Sequence, residues 1–258
     1  MAAVVERRAV DPLRERLSRL RRIAIVPALN EEQSVGRVIQ EIRAFDPGFE
    51  VLVVDDGSVD RTAQVAVAHG AHVLRLPFNL GIGGAMQTGF RYAWERGFDV
   101  AVQLDGDGQH DPSQLPAILA PVLDDEADLV VGSRFAGDTS YQAGLFRRLG
   151  IRLFARTITL IVGQRVTDTT SGFRAVGRRG IVLFARDYPH DYPEVEATVL
   201  AYRHRLRLLE VPVAMRKRSA GRSSLNASRS VYYMVKVLLA IFVGLFRRNV
   251  LPLEEERS

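Results

Sequence analysis

The segment Gln-Leu-Asp-Gly-Asp-Gly-Gln-His-Asp at 103–111 concentrates the residues best suited to chemistry. Asp105 and Asp107 stand two apart, directly after the apolar run Val100, Ala101, Val102 and Leu104, which reads as a buried strand. Carboxylates at a strand end, followed by glycines, project at the carboxyl edge of a sheet, where open α/β sheets bind ligands. Hard oxygen donors suit Mg²⁺ or Mn²⁺, ions that usually hold a diphosphate rather than sit in an all-protein cage. The segment therefore points to a metal–nucleotide site, with a plain polar Asp-Gly turn as the alternative. A calcium loop fails on detail, because its sixth and twelfth positions call for Gly and Glu, and here they are His110 and Pro116.

The elements that must position this pair follow an alternating rhythm. Strands are expected over 22–29, 49–54, 71–74, 99–104 and 128–132, and helices over 31–45, 61–69, 83–96 and 112–123. Alternation with helices of this length implies βαβ units and a mostly parallel sheet. The strands are short apolar runs without polar alternation, as expected where both faces are covered. Asn30, Asp55, Asp56, Asn79, Asp105 and Asp107 then all fall at or just beyond strand ends, forming one continuous ligand edge. Beyond Phe135 the rhythm changes: a basic helix over 145–162, a polar turn over 168–174, helices over 178–186 and 194–204, and a strand over 206–213.

Bulk properties narrow the function classes. The 258 residues are 47% hydrophobic and 25% charged, an ordinary globular composition. The absence of cysteine excludes disulfides, thiolate metal sites and a cysteine nucleophile. A net charge of +5 favours anionic partners, yet no basic–aromatic motif for nucleic acid is present. The first 22 residues are charged, carry Leu13, Leu17 and Leu20 at helical spacing, and contain no apolar core of signal-peptide length.

Two basic stretches and one apolar stretch bear on partners. Arg148, Arg152 and Arg156 share a helix face beside Arg147, on a helix otherwise rich in Leu and Ile. That pattern suits either a solvated face or phosphate head groups at a membrane surface. Residues 215–224 pack Arg216, Lys217, Arg218 and Arg222 among Ser219, Gly221 and further hydroxyls, a segment able to close over a polyanion or to serve as a basic linker. Residues 231–246 carry one charge, Lys236, in sixteen positions, short of the roughly 20 apolar residues of a spanning helix. A helix lying in the membrane interface fits them better, with a core helix or a dimer contact as alternatives. The glycines at 81, 83, 84 and 89 follow the third strand rather than the first, which argues against a dinucleotide fingerprint.

In order and spacing, six segments resemble glycosyltransferase family 2 of the GT-A fold, most closely its polyprenyl- (dolichyl-) phosphate sugar synthases. They are Val-Pro-Ala-Leu-Asn-Glu-Glu (26–32), Val-Val-Asp-Asp-Gly-Ser-Val-Asp-Arg-Thr (53–62), Asn-Leu-Gly-Ile-Gly-Gly-Ala (79–85), Asp-Gly-Asp-Gly-Gln-His (105–110), Gly-Ser-Arg-Phe (132–135) and Thr-Ser-Gly-Phe-Arg (170–174). The resemblance implies a Rossmann-like sheet with helices on both faces, spanning 23–215, between a leader helix (1–22) and a basic loop with a membrane-interface helix (216–258). It implies that Pro27, Ala28, Asn30, Glu31, Asp56, Asn79, Gly84 and Asp105 bind the nucleotide, and that Asp105, Asp107 and Gln109 hold Mg²⁺ or Mn²⁺. Asp107, Arg134 and Arg218 would act at the reaction centre. Arg147, Arg148, Asp168, Arg174, Arg216 and Ser219 would meet the acceptor.

The activity so implied is inverting transfer of a sugar from a GDP- or UDP-linked donor to a polyprenyl phosphate, at the cytoplasmic face of the cell membrane. Some relatives carry several spanning helices after the catalytic domain; this chain ends ten residues after Arg248, so a membrane partner protein or a homodimer is a further expectation. The rival is transfer to a hydroxyl acceptor, which needs a general base where an ionised lipid phosphate does not. Asp168, Asp191, Glu194 and Glu196 are the carboxylates to weigh for that role. A nucleotide-sugar-binding scaffold without activity is a third reading, opposed by the intact Asp105/Asp107 pair.

Overall fold

The computed structural model describes residues 12–136, 159, 167–168 and 170–216. Seven strands form one sheet: β1 (Arg22–Ala28), β2 (Glu50–Asp55), β3 (His72–Arg75), β4 (Val100–Gln103), β5 (Leu129–Ser133), β6 (Arg174–Gly177) and β7 (Leu208–Pro212), in the spatial order β3-β2-β1-β4-β6-β5-β7. All neighbours run parallel except β6, which lies antiparallel between β4 and β5. The α/β class and the mostly parallel sheet are as the sequence implies.

Helices cover both faces. On one side lie α1 (12–18), α2 (Val35–Phe45), α3 (Thr62–Ala68) and α5 (Leu115–Leu123); on the other lie α4 (Gly81–Glu95), α6 (Arg178–Arg186) and α7 (Pro193–Arg203). The strand residues divide by parity, as a pleat requires. Ala24, Val26, Val51, Val53, Val100 and Val102 pack on the first side, whereas Ile23, Ile25, Leu52, Val54 and Ala101 pack on the second. Leu13 and Leu17 of α1 are buried in the first core, so this part of the N-terminal segment is structural.

Boundaries shift where local chemistry outweighs periodicity. The expected helix over 31–45 begins only at Val35, because the N–H groups of residues 30–32 are drawn into bonds with the side chains of Ser58, Asp60 and Thr62 after β2. The helix expected over 83–96 begins at Gly81. Arg174, assigned to the end of a polar turn, instead opens β6. The basic helix expected over 145–162 and the apolar run at 231–246 lie outside the described residues, apart from Thr159. Among the described residues, no helix is long and apolar enough to cross a membrane.

The strand order sets the site. From β1 the chain winds outward through β2 to β3, then returns to place β4 on the other flank of β1. The carboxyl ends of β1 and β4 therefore diverge at a topological switch point, where such sheets open a crevice for ligands.

Candidate active site

The acidic loop leaves β4 at this switch point. Its glycines let it press against the end of β1: the Gly106 N–H donates to the Pro27 carbonyl at 3.3 Å, and a Cβ there would lie 3.2 Å from that oxygen and from Ala28 Cβ. Gly108 takes φ +76°, a left-handed conformation that a side chain would strain. Asp107 is 8% exposed and accepts the Gln109 N–H at 2.9 Å, while the Asp105 side chain stays 36% exposed at the crevice.

His110 holds this loop from beneath. Its Nδ1 accepts the Asp105 N–H at 3.0 Å, which leaves the proton on Nε2, 3.6 Å from Asp105 Oδ2. The ring stacks on Phe173, with centroids 5.0 Å apart. Burial pushes the His110 pKa down to about 4 against the opposing pull of Asp107, so the imidazole is neutral at physiological pH. On the other side Gly172 closes over the loop: a Cβ there would sit 3.2 Å from Asp105 Oδ1.

Two carboxylates and the Gln109 carboxamide fit a hard divalent cation. No group of three or more His, Cys, Asp or Glu side chains forms a metal cage among the described residues. A partial oxygen set, open on one side, is what Mg²⁺ or Mn²⁺ uses when substrate phosphate and water complete its shell.

The residues expected at the nucleotide gather at the carboxyl ends of β1, β2 and the loop after β3. Asn30, at φ +55°, donates its N–H to Ser58 Oγ (2.9 Å), and its Oδ1 accepts the Val59 N–H (2.9 Å). The Glu31 N–H donates to Thr62 Oγ1, and its carboxylate accepts Ser34 Oγ–H. Buried Asp56 accepts the Leu80 N–H at 2.7 Å, and Asn79 Oδ1 accepts the Gly81 N–H at 2.8 Å. These bonds tie three loops into one rim beside Pro27, Ala28 and Gly84. Leu29, Val59, Phe78, Leu80 and Ile82 stand exposed along it.

Arg134 follows β5 and reaches the same region. Its Nε and Nη2 bond Asp168 Oδ2 and Oδ1 at 2.7 and 2.8 Å, and Nη2 also bonds Thr170 Oγ1 at 2.7 Å. Burial alone would raise the Asp168 carboxyl, but the hydrogen bonds and charge of Arg134, with the N–H groups of Arg134 and Thr170, outweigh it and hold the pKa below the usual carboxylate range. Asp168 thus aims a guanidinium, and its depressed pKa makes it a poor proton acceptor. Glu210 of β7, which carries no local motif in the sequence, accepts the N–H groups of Thr167 and Asp168 and so fixes the segment that fixes Arg134.

Two residues expected at the acceptor are engaged elsewhere. Arg174 is 1% exposed; its Nε donates to the Ser171 carbonyl at 3.0 Å and Nη2 to the Glu194 carbonyl. Arg216 pairs with Glu41 at 2.6 Å and Asp111 at 2.8 Å, and its N–H donates to the Gln109 carbonyl at 2.9 Å. Arg147, Arg148, Arg218 and Ser219 lie outside the described residues.

Comparison with known proteins agrees with this arrangement. The family model of Glycosyl transferase family 2 matches residues 23–183. An undecaprenyl-phosphate mannosyltransferase from Micrococcus luteus is 35% identical over 216 residues, 80% of this chain and 88% of that one. A polyprenol monophosphomannose synthase from Mycolicibacterium smegmatis is 31% identical over 227 residues, 84% of this chain and 85% of that one. Among solved structures, glucosyl-3-phosphoglycerate synthase from Mycobacterium tuberculosis, in complex with Mn²⁺, UDP-glucose and phosphoglyceric acid, superposes with a TM-score of 0.70 at 22% identity. That match covers 91% of this chain and 82% of that one, a likeness of fold. With the acidic pair at the switch point and these matches together, the chain belongs to glycosyl transferase family 2.

Proposed function

We propose that the chain transfers a sugar, with inversion, from a GDP- or UDP-linked donor to a polyprenyl phosphate at the cytoplasmic surface of a membrane. The observation that carries this reading is the Asp105/Asp107 pair at the β1/β4 switch point, with an Arg134 that Asp168 aims acting, like Asp107, on the His110 beneath the loop. Two relatives named for polyprenol or undecaprenyl phosphate chemistry support the acceptor class.

The rim at 27–31, 56 and 79–84 binds the nucleoside, and Asp105, Asp107 and Gln109 hold Mg²⁺ or Mn²⁺ against the diphosphate. A divalent cation bound by those residues would supply Lewis-acid neutralisation of the charge on the leaving diphosphate. Arg134 supplies fixed positive charge to the same oxygens, already oriented before the reaction. The acceptor phosphate attacks C1 from the opposite face; it is ionised at neutral pH, so no side chain needs to remove a proton. The depressed Asp168 pKa suits that scheme. Arg147, Arg148, Arg218 and Ser219 are proposed to meet the acceptor phosphate.

The test is transfer of radiolabel from a panel of GDP- and UDP-sugars to undecaprenyl phosphate in detergent, with Mg²⁺ or Mn²⁺ and a chelator control. Chelator-sensitive label in the lipid phase is the expected result and names the sugar. Donor binding with no lipid label under any condition would overturn the acceptor assignment in favour of a hydroxyl acceptor.

A further inference from the structure

The acidic loop is braced by a set of residues with no role in the scheme above. Residues 215–216 run beside 109–110: Met215 and His110 form an isolated antiparallel bridge, and the Arg216 N–H donates to the Gln109 carbonyl at 2.9 Å. Met215 also packs against the first core, which seats this stretch on the body of the protein. Its partner His110 is the residue whose Nδ1 accepts the Asp105 N–H, so the bridge lies one hydrogen bond from the acidic pair.

The Arg216 guanidinium then ties the loop to α2. Nη1 bonds Glu41 Oε2 at 2.6 Å, and Nη2 bonds Asp111 Oδ1 at 2.8 Å. The same Asp111 oxygen accepts the Ser113 N–H at 2.9 Å and so caps the turn at Pro112–Gln114. One helical turn before Glu41 stands Arg37, whose Nε is 3.9 Å from Glu41 Oε1. Arg37 lies against the loop as well: a Cβ on Gly108 would fall 2.5 Å from its Nη2. Helix α2 therefore meets the acidic loop twice, through Arg37 at Gly108 and through the Glu41–Arg216 pair at residues 109–111.

A single exposed ion pair adds little to stability. Here one guanidinium is shared by carboxylates from two separate elements while its own N–H holds a carbonyl of the loop, and such charge-assisted bonds impose direction. A cation already matched by two carboxylates is also ill suited to take up an acceptor phosphate. We propose that Arg216 is a positioning residue of the acidic loop: it straps residues 109–111 to α2 and so holds Asp105, Asp107 and Gln109 in the arrangement that takes a divalent cation. The consequence for the cation rests on the nucleotide-sugar reading above. Coupling between two sites is reciprocal, so a strap that favours the cation is itself tightened when the cation binds.

The experiment makes two measurements on the full chain and on its Arg216→Gln, Arg216→Lys and Glu41→Ala variants. Amide hydrogen exchange, read by mass spectrometry without metal, follows peptides containing 103–111 and 215–216. The electron paramagnetic resonance signal of free Mn²⁺, with UDP or GDP present, gives the cation affinity. Arg216→Gln and Glu41→Ala should each speed exchange at 103–111, leave β2 and α4 unchanged, and weaken Mn²⁺ binding by about fivefold or more. Arg216→Lys keeps the charge without the fork and should restore part of both. In wild type, Mn²⁺ with nucleotide should slow exchange at 215–216, and Glu41→Ala should abolish that protection. Unchanged exchange at 103–111, faster exchange throughout the chain, or unchanged Mn²⁺ affinity would each overturn the inference. Failure of wild type to bind Mn²⁺ with either nucleotide would sink the metal reading and the cation half of the inference, while exchange at 103–111 in the metal-free chain would still decide whether Arg216 holds the loop.

Discussion

The chemistry of this chain is concentrated in residues whose side chains are oriented by neighbours rather than by their own strands. Asp107 stands on a loop that depends on Gly106, Gly108 and His110 for its path. Asp107→Asn keeps that path and removes a charge, so kcat for transfer should fall by at least about a hundredfold, with the metal titration moved to higher concentration; full activity would refute the metal role. Asp168→Asn tests a different link. It leaves Arg134 without its anion in a buried pair and should cost about 3 kcal/mol at neutral pH, read as a lower urea midpoint. The folded pKa of Asp168 lies below its unfolded value, so its contribution is present above about pH 4 and is lost as pH falls through the folded pKa. The gap between wild type and variant should therefore close below pH 4, and a gap that persists there would refute the electrostatic account. The acidic loop was legible in the sequence as a unit because Asp105, Asp107 and Gln109 adjoin one another directly after a buried strand. Arg174 and Arg216 were not, since a basic residue in a motif does not announce which carboxylate or carbonyl its head will meet.

At the scale of elements, the parallel half of the sheet was legible and the reversed strand was not. β1, β2 and β4 are apolar runs at regular intervals, and each runs into a polar loop. β6 is only Arg-Ala-Val-Gly, and its strand character comes from pairing with β4 on one side and β5 on the other. Pairing, which acts through residues far apart in sequence, outweighed weak local preference. The reversal matters for function because it carries Gly172 and Phe173 back over Asp105 and His110. Helix α4 shows the same dependence on distant backbone. Gly83→Ala adds a Cβ that would overlap the Pro189 carbonyl, a backbone atom that cannot swing aside as a side-chain tip can. The helix-propensity gain from alanine is at most about 1 kcal/mol, less than the roughly 1–3 kcal/mol of overpacking. The variant should show a lower urea midpoint with unchanged slope and weaker donor binding. An unchanged midpoint would mean that residues 188–194 do not dock on α4 as described.

At the scale of the whole molecule, the sheet places donor chemistry at one edge, and Arg216 fastens the start of the basic segment to that edge. Met215 pairs in antiparallel fashion with His110, and Arg216 spans Glu41 and Asp111, so residues 215–216 lie beside the acidic loop. The residues that follow include Lys217, Arg218 and Arg222 and then the apolar run at 231–246. With a net charge of +5, the chain should be drawn to anionic lipid and held at its surface by this segment. An acceptor phosphate in the head-group layer would then lie at the height of the site. The full chain should cosediment with vesicles containing anionic lipid, bind neutral vesicles more weakly, and be released as salt rises, because the Debye length shortens from about 10 Å at 0.1 M to about 3 Å at 1 M. Salt-resistant binding to neutral vesicles would assign the attachment to apolar insertion instead, since charge screening leaves buried hydrocarbon contacts in place. Failure to bind either vesicle would show that surface charge does not bring this chain to its lipid, and that a separate membrane protein must do so.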